Sequence, residues 1–300
     1  MLISAWGLAF LFVVIASAAV LGTGAFLQSK LGSYFGKTSK ADLRVFCAAL
    51  GLGVFCSASL LVGLFPYGYT LVAQGLLVVL GLYFFRKHQV SFRGMLAGKD
   101  HRIWLLFPVL YFLTRFFSSG LPQQHNDALY YHLAAPKLWT EFMQIKLVAE
   151  HPSFAQATLW EVLYGYPMLV FGPNGTFTHV VTQLYGQWMH MLWGHIGTIA
   201  LGMVILRNLV PELERRRRFT LMISWLLVTL PCVEWTGGLA KNDYIVAFFA
   251  MASLLPFFLK TQKNLIPVFV GLLVGFAFAE KLSAVTCVAA LCILFLNRDL

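Results

Sequence analysis

Long apolar runs alternate with short polar clusters along almost the whole chain. A helix that crosses the hydrocarbon core of a bilayer needs about 20 apolar residues. The pattern predicts such helices at Leu2–Leu27, Leu43–Leu64, Tyr67–Phe85 and Ile103–Phe117. After a long polar stretch it predicts more at Thr178–Leu206, Phe219–Val233, Tyr244–Leu259, Leu265–Ala279 and Leu282–Leu296. The total is about nine spans, some of them shorter than the ideal length. None of the runs shows the apolar–polar alternation of barrel strands, so the predicted class is all-α, a polytopic transmembrane bundle. Ala16-Ser17-Ala18 resembles a signal-peptidase site. No basic residue precedes the apolar run, so the first segment reads as a retained helix.

Composition strengthens this picture. Of 300 residues 59% are hydrophobic and 11% charged, with mean hydropathy +0.75. Soluble domains are about 45–50% apolar and about 25% charged. Twelve acidic and 22 basic residues cannot coat a globule of this size, so lipid is the solvent. The same numbers exclude a disordered chain, a collagen, a coiled coil and a secreted disulfide scaffold. The net charge of +10 does not indicate nucleic acid, because the basic residues form short clusters rather than a stripe. Cys47, Cys56, Cys287 and Cys292 lie within apolar runs and act as small hydrophobes. Cys232 has no evident disulfide partner, and no metal-ligand spacing occurs.

The basic clusters set an expected orientation. Lys30, Lys37, Lys40 and Arg44 follow the first span, and Arg86, Lys87, Arg93, Lys99 and Arg102 the third. Arg207 with Arg215–Arg218, and then Lys260 with Lys263, follow later odd-numbered spans. One assignment satisfies all four sets: these loops face the cytoplasm and the N-terminus lies outside. The arginine run reads as an anchor to anionic headgroups rather than a nucleic-acid patch.

The opposite, outer face carries the loops 65–68, 118–177 and 234–243 and the Glu280-Lys281 corner. Six of the eight histidines fall between His125 and His195. Asp127, Glu141, Glu150, Glu161, Glu234, Asp243 and Glu280 are assigned to the outer side or its boundary. Residues 118–177 are too long for a structureless loop and predict short interfacial helices at Ala128–Ala135, Pro136–Met143 and Thr158–Phe171. Two regions result, N-terminal transmembrane helices over 1–102 and a core over 103–300 that contains this outer loop.

Candidate chemistry concentrates on that face. Asp127, just past the fourth span, is suited to cap a helix, yet Tyr130 stands where a capping box would have Glu or Gln. A carboxylate held there can accept a proton from an attacking hydroxyl. Arg115, among aromatic residues near the outer end of its span, snorkels or binds a phosphate with paired donors. Asp243 opens the seventh span, where the helix dipole alone favours an acid. Lys281 sits at a depth where it snorkels or meets an anionic headgroup. Acids and cations from several helices thus share one membrane level, which a purely structural bundle has little reason to arrange. No pair of histidines shows a ligand motif, so no metal residue is assigned; a divalent metal stays open as a cofactor.

The stretch Asp127-Ala128-Leu129-Tyr130-Tyr131-His132-Leu133-Ala134-Ala135-Pro136-Lys137-Leu138-Trp139 resembles the D-x-L-x-YHL-x-x-PK pattern of the GT-C glycosyltransferase superfamily. The relatives in question are bacterial polytopic proteins such as the protein O-mannosyltransferases and the aminoarabinose transferases. Ala240-Lys241-Asn242-Asp243-Tyr244-Ile245-Val246-Ala247 is similar to the family's later acid-bearing helix start. The run from Gly271 to Lys281 is similar to its glycine-rich helix ending in Lys. The resemblance extends from about Phe107 to the end of the chain.

It implies that Asp127 acts as base or acceptor-orienting group while a sugar leaves a polyprenyl phosphate. It further implies Asp243 as a supporting acid and Lys281 as a contact to the lipid phosphate, with Arg115. Tyr130, Tyr131, His132 and Lys137 join them as substrate-binding residues. The expected partners are membrane lipid and a polyprenyl-phosphate sugar donor, with an acceptor hydroxyl of unknown identity and no nucleic acid. Three spans precede the helix that begins the family's core. Glu280 stands where a small residue is expected, and members usually continue beyond the equivalent of Leu300, so a fragment, a degenerate copy or a compact variant is the expectation. The competing readings are a transporter or flippase whose pathway the same charges line, and a catalytically silent membrane scaffold.

Overall fold

The computed structural model describes residues 1–88, 113–114, 116–117, 120, 129, 132–146, 159–210, 212, 243–281, 284–286 and 289. The expected spans Ile103–Phe117, Phe219–Val233 and Leu282–Leu296 lie wholly or largely outside these residues. So do the Arg215–Arg218 run and most of the expected helix Ala128–Ala135.

Within the described residues every regular element is helical. Three long helices open the chain: α1 (Leu2–Leu31), α2 (Lys40–Leu64) and α3 (Leu71–Lys87). Short helices follow at α4 (Ala134–Phe142), α5 (Glu161–Tyr164) and α6 (Tyr166–Phe171). Next, α7 (Thr176–Met189) continues through a π-helical segment, His190–Ile196, into α8 (Gly197–Leu209). The last two helices are α9 (Asp243–Phe258) and α10 (Ile266–Glu280).

Among the described residues four helical stretches are long and apolar enough to cross a membrane: Leu2–Tyr34, Lys40–Leu64, Thr176–Leu206 and Lys263–Glu280. The run expected as a third span forms α3, which has 17 residues. The run expected at Tyr244–Leu259 forms the 16-residue α9. Large apolar side chains face outward. Val72, Leu76, Val79 and Tyr83 recur at helical spacing on α3 and all are exposed. Such a stripe on a water-soluble protein would be a large sticky patch; against acyl chains it is the ordinary surface.

Local chemistry explains the helix ends. The Thr70 hydroxyl accepts from the Ala73 N–H at 3.4 Å and caps α3. Arg86 and Lys87 occupy its last turn, where the dipole favours cations. α2 stops just before Pro66, a residue that disfavours helix in its predecessor. The helix expected to open at Pro136 starts at Ala134 instead. Pro136 still falls in the first turn, where backbone N–H groups have no intrahelical partner to lose. The single helix expected over Thr158–Phe171 is broken at Gly165, with Pro167 in the first turn of the second piece.

Two of the packing contacts depend on missing side chains. A Cβ on Gly22 would stand 2.0 Å from the Gly81 carbonyl oxygen, and one on Gly51 would stand 2.5 Å from the Gly24 amide. Backbones therefore meet directly where α1 crosses α3 and α2, the usual way for helices to associate when lipid gives no hydrophobic drive.

The bundle has two chemically different ends. At one, the Gln262 N–H donates to the Tyr34 carbonyl at 3.0 Å, and the Lys260 N–H donates to the Thr38 hydroxyl at 3.1 Å. This end gathers Lys30, Lys37, Lys40, Arg44, Arg86, Lys87, Lys260 and Lys263, against Asp42 and Glu212 among the described acids. At the other, the Ile145 N–H donates to the Gly63 carbonyl at 2.7 Å, and the Tyr69 N–H to the Met143 carbonyl at 3.1 Å. The short helices α4 to α6, and with them most of the remaining described acids, belong to this second end.

Candidate functional site

The last turn of α10 organises the second end. Glu280 is fully buried, and its carboxylate accepts from the Trp160 backbone N–H at 3.1 Å. The next residue, Lys281, leaves the helix in an extended conformation, φ −161° and ψ 135°. Its ammonium donates to the Asp243 carboxylate at 2.6 Å. Both partners are 41% exposed. Consecutive residues therefore bind two distant parts of the chain.

A second pair lies beside the first. His132 Nδ1 and Glu161 Oε1 are 2.5 Å apart, both side chains 1% exposed. Since Trp160 is held by Glu280 and Glu161 by His132, one continuous path of bonds joins His132, α5, the end of α10 and the start of α9. A third anchor fixes this end. The Tyr69 hydroxyl donates to the Val162 carbonyl at 2.7 Å, and a Cβ on Gly165 would stand 2.3 Å from that hydroxyl. Tyr166 and Ser59 share a hydrogen bond of 3.0 Å. Burial pushes the phenol pKa values of Tyr164 and Tyr166 well above the ordinary range; the Glu161 carboxylate adds to the rise at Tyr164, and the Ser59 hydrogen bond partly opposes it at Tyr166.

Asp243 is positioned through its neighbour. The Tyr244 N–H donates to His190 Nε2 at 3.3 Å, and the Tyr244 ring stacks on His195 at 4.7 Å between centroids and 8° between planes. His190 and His195 are five residues apart. On an α-helix that spacing points side chains well apart, about 140° round the axis. The i→i+5 turns of the π segment bring them back to one face. The only signal in the sequence is a His-x4-His spacing inside an apolar run, which helical periodicity alone reads as two unrelated positions.

The site residues expected from sequence thus divide into groups. Asp243 and Lys281 are in contact. His132 is buried against Glu161, a residue expected on this side but with no site role. Lys137 lies elsewhere on the same end, lining a cavity of about 340 Å³ with Leu133, Met168, His179, Thr182 and Gln183. Asp127, Arg115, Tyr130 and Tyr131 lie outside the described residues. Among the described residues no three His, Cys, Asp or Glu side chains group as a metal site requires.

Chemically, a half-exposed carboxylate–ammonium pair can do two things at once. The ammonium is a donor for an anionic oxygen, and the carboxylate accepts a proton or holds the ammonium in place. Both side chains of the His132–Glu161 pair are instead buried, and the pair ties the segment that carries His132 to α5. Comparison with family models, curated proteins and solved structures returns no match.

Proposed function

We propose that this chain is a multi-pass membrane glycosyltransferase of the GT-C type. In this reading it moves a sugar from a polyprenyl-phosphate donor to an acceptor hydroxyl at the outer face of a bacterial inner membrane. The basic end lies in the cytoplasm, the N-terminus outside, and the donor phosphate docks at the opposite end. The observation that carries the reading is the Asp243–Lys281 pair, half exposed and built from two separate helices at the end that lacks the basic cluster.

The chemistry needs few groups. Asp127 takes the proton from the acceptor hydroxyl as its oxygen bonds to the anomeric carbon. The bond from that carbon to the phosphate oxygen breaks, and the phosphate leaves without needing a proton. Lys281 and Arg115 hold the leaving phosphate, Asp243 orients Lys281, and Tyr130, Tyr131, His132 and Lys137 shape the rest of the substrate site. Reconstitution in vesicles with labelled lipid-linked sugar tests this. Covalent transfer that Asp127→Asn abolishes is the expected result. Normal transfer by that variant would remove the assignment, and uptake of label without covalent transfer would replace it with a transporter.

A further inference from the structure

A large cavity runs along α1, with its polar lining at the basic end of the bundle. Its volume is about 790 Å³, within the range of about 300–1,000 Å³ common for ligand sites. The walls come from α1, α2, the residues ending α3, the π segment with α8, and α9. On α1 the lining runs from Phe10 to Ser29, roughly 28 Å along the axis at 1.5 Å per residue. That exceeds the depth of one leaflet, half of a hydrocarbon core about 30 Å thick, so acyl chains have room to extend along it.

The lining changes character along this length. Over most of it the walls are apolar, with Val13, Leu21, Val45, Leu192 and Phe248 among them. At the basic end they become Gln28, Ser29, Lys40, Arg44 and His88. Lys40 is the first residue of α2, so its charge adds to the positive end of that helix dipole. Asp42, in the same turn, is buried at 3% exposure, whereas Lys40 is exposed.

An apolar slot longer than one leaflet is deep, with cations at one mouth, is complementary to an amphiphile with an anionic head. We propose that this cavity binds an anionic phospholipid of the leaflet at the basic end, its phosphate among Lys40, Arg44 and His88 and its acyl chains along the apolar walls. A free anion has no use for the apolar length, and a neutral lipid has no use for the cations. The polar mouth of the slot lies at the end opposite the proposed transfer site, and its occupancy does not depend on that chemistry.

The test uses the full chain purified in mild detergent, with native mass spectrometry of bound lipid. Phosphatidylglycerol and phosphatidylcholine of matched chains are supplied in turn. Selective retention of phosphatidylglycerol is expected, lowered roughly tenfold or more in Lys40→Gln/Arg44→Gln, since each cation near a surface contributes appreciably to binding anionic lipid. Lys263→Gln, at the same end but outside the cavity lining, should leave retention unchanged. Ala18→Phe, which fills the slot at depth, should lower retention of the lipid with the basic residues intact. If that variant fails to fold, the charge variants alone decide. Equal retention of both lipids, no change in Lys40→Gln/Arg44→Gln, an equal loss in Lys263→Gln, or displacement by millimolar inorganic phosphate would each overturn the proposal.

Discussion

Lys281 donates to Asp243 across 38 positions of sequence, at 2.6 Å, with both side chains 41% exposed. Ion pairs this open to solvent contribute about 0–1 kcal/mol to stability. Asp243→Asn and Lys281→Gln should therefore leave the unfolding midpoint within a degree or two of the parent. Under the proposed function each should lower sugar transfer by roughly 10²-fold or more, because a positioned charge acts on the transition state rather than on the fold. Thermal unfolding and a transfer assay on the same preparations check this. A large loss of stability with unchanged transfer per folded molecule would make the pair a structural tie instead.

The buried pair should behave in the opposite way. His132 and Glu161 are each 1% exposed, and removing one partner of a buried pair leaves the other uncompensated. Glu161→Ala and His132→Ala are expected to cost about 3–5 kcal/mol. Replacing both by leucine should recover much of that loss, since an apolar pair leaves no polar group without its partner. Denaturant unfolding of the single and double variants gives the comparison.

Backbone contact between α1 and α3 leaves no room at Gly81, where a Cβ would stand 2.6 Å from the Ala19 carbonyl oxygen. Gly81→Val should destabilise the chain by roughly 1–3 kcal/mol or more through overpacking. Gly75 is an internal control, because a Cβ there meets nothing within 4 Å. Gly75→Ala should be neutral or slightly stabilising through its better helix propensity. Unfolding midpoints of the two variants should therefore move apart.

Alkaline pH should weaken the end of the bundle that carries α5 and α6. Tyr164 and Tyr166 have phenol pKa values raised by burial, while an unfolded tyrosine ionises near about 10. Above that pH the unfolded chain releases protons that the folded chain keeps, so the fraction of stability contributed by these groups is present below about pH 10 and declines as pH rises beyond it. Unfolding midpoints measured from pH 8 to 11 should fall in the upper part of the range. Tyr164→Phe/Tyr166→Phe should flatten that fall.

The apolar runs make the helical class and the long helices legible, because crossing length and hydropathy are properties of contiguous residues. Thr176–Leu206 and Lys263–Glu280 begin within two residues of the expected starts for that reason. The pairings are less accessible. Glu280 meets Trp160 across 120 positions, and Glu161 meets His132 across 29. Nothing local announces either contact. Glu161 sits in the aromatic run Leu159-Trp160-Glu161-Val162, where an isolated acid looks like the solvent face of a short helix. Lys281 reads as a snorkelling or headgroup-bound lysine because an extended residue after α10 cannot be foreseen from an apolar helix pattern. The π segment hides the shared face of His190 and His195 in the same way.

The junction at the end of α10 also makes the two substructures around it mechanically dependent. Glu280 grips the Trp160 backbone and Lys281 grips Asp243, with a single peptide bond between the two grips. Any tilt of α9 that draws Asp243 outward must either drag on the α5 segment or release one of the holds. Motion at the mouth of this end is thereby geared to the seating of the loop helices behind it.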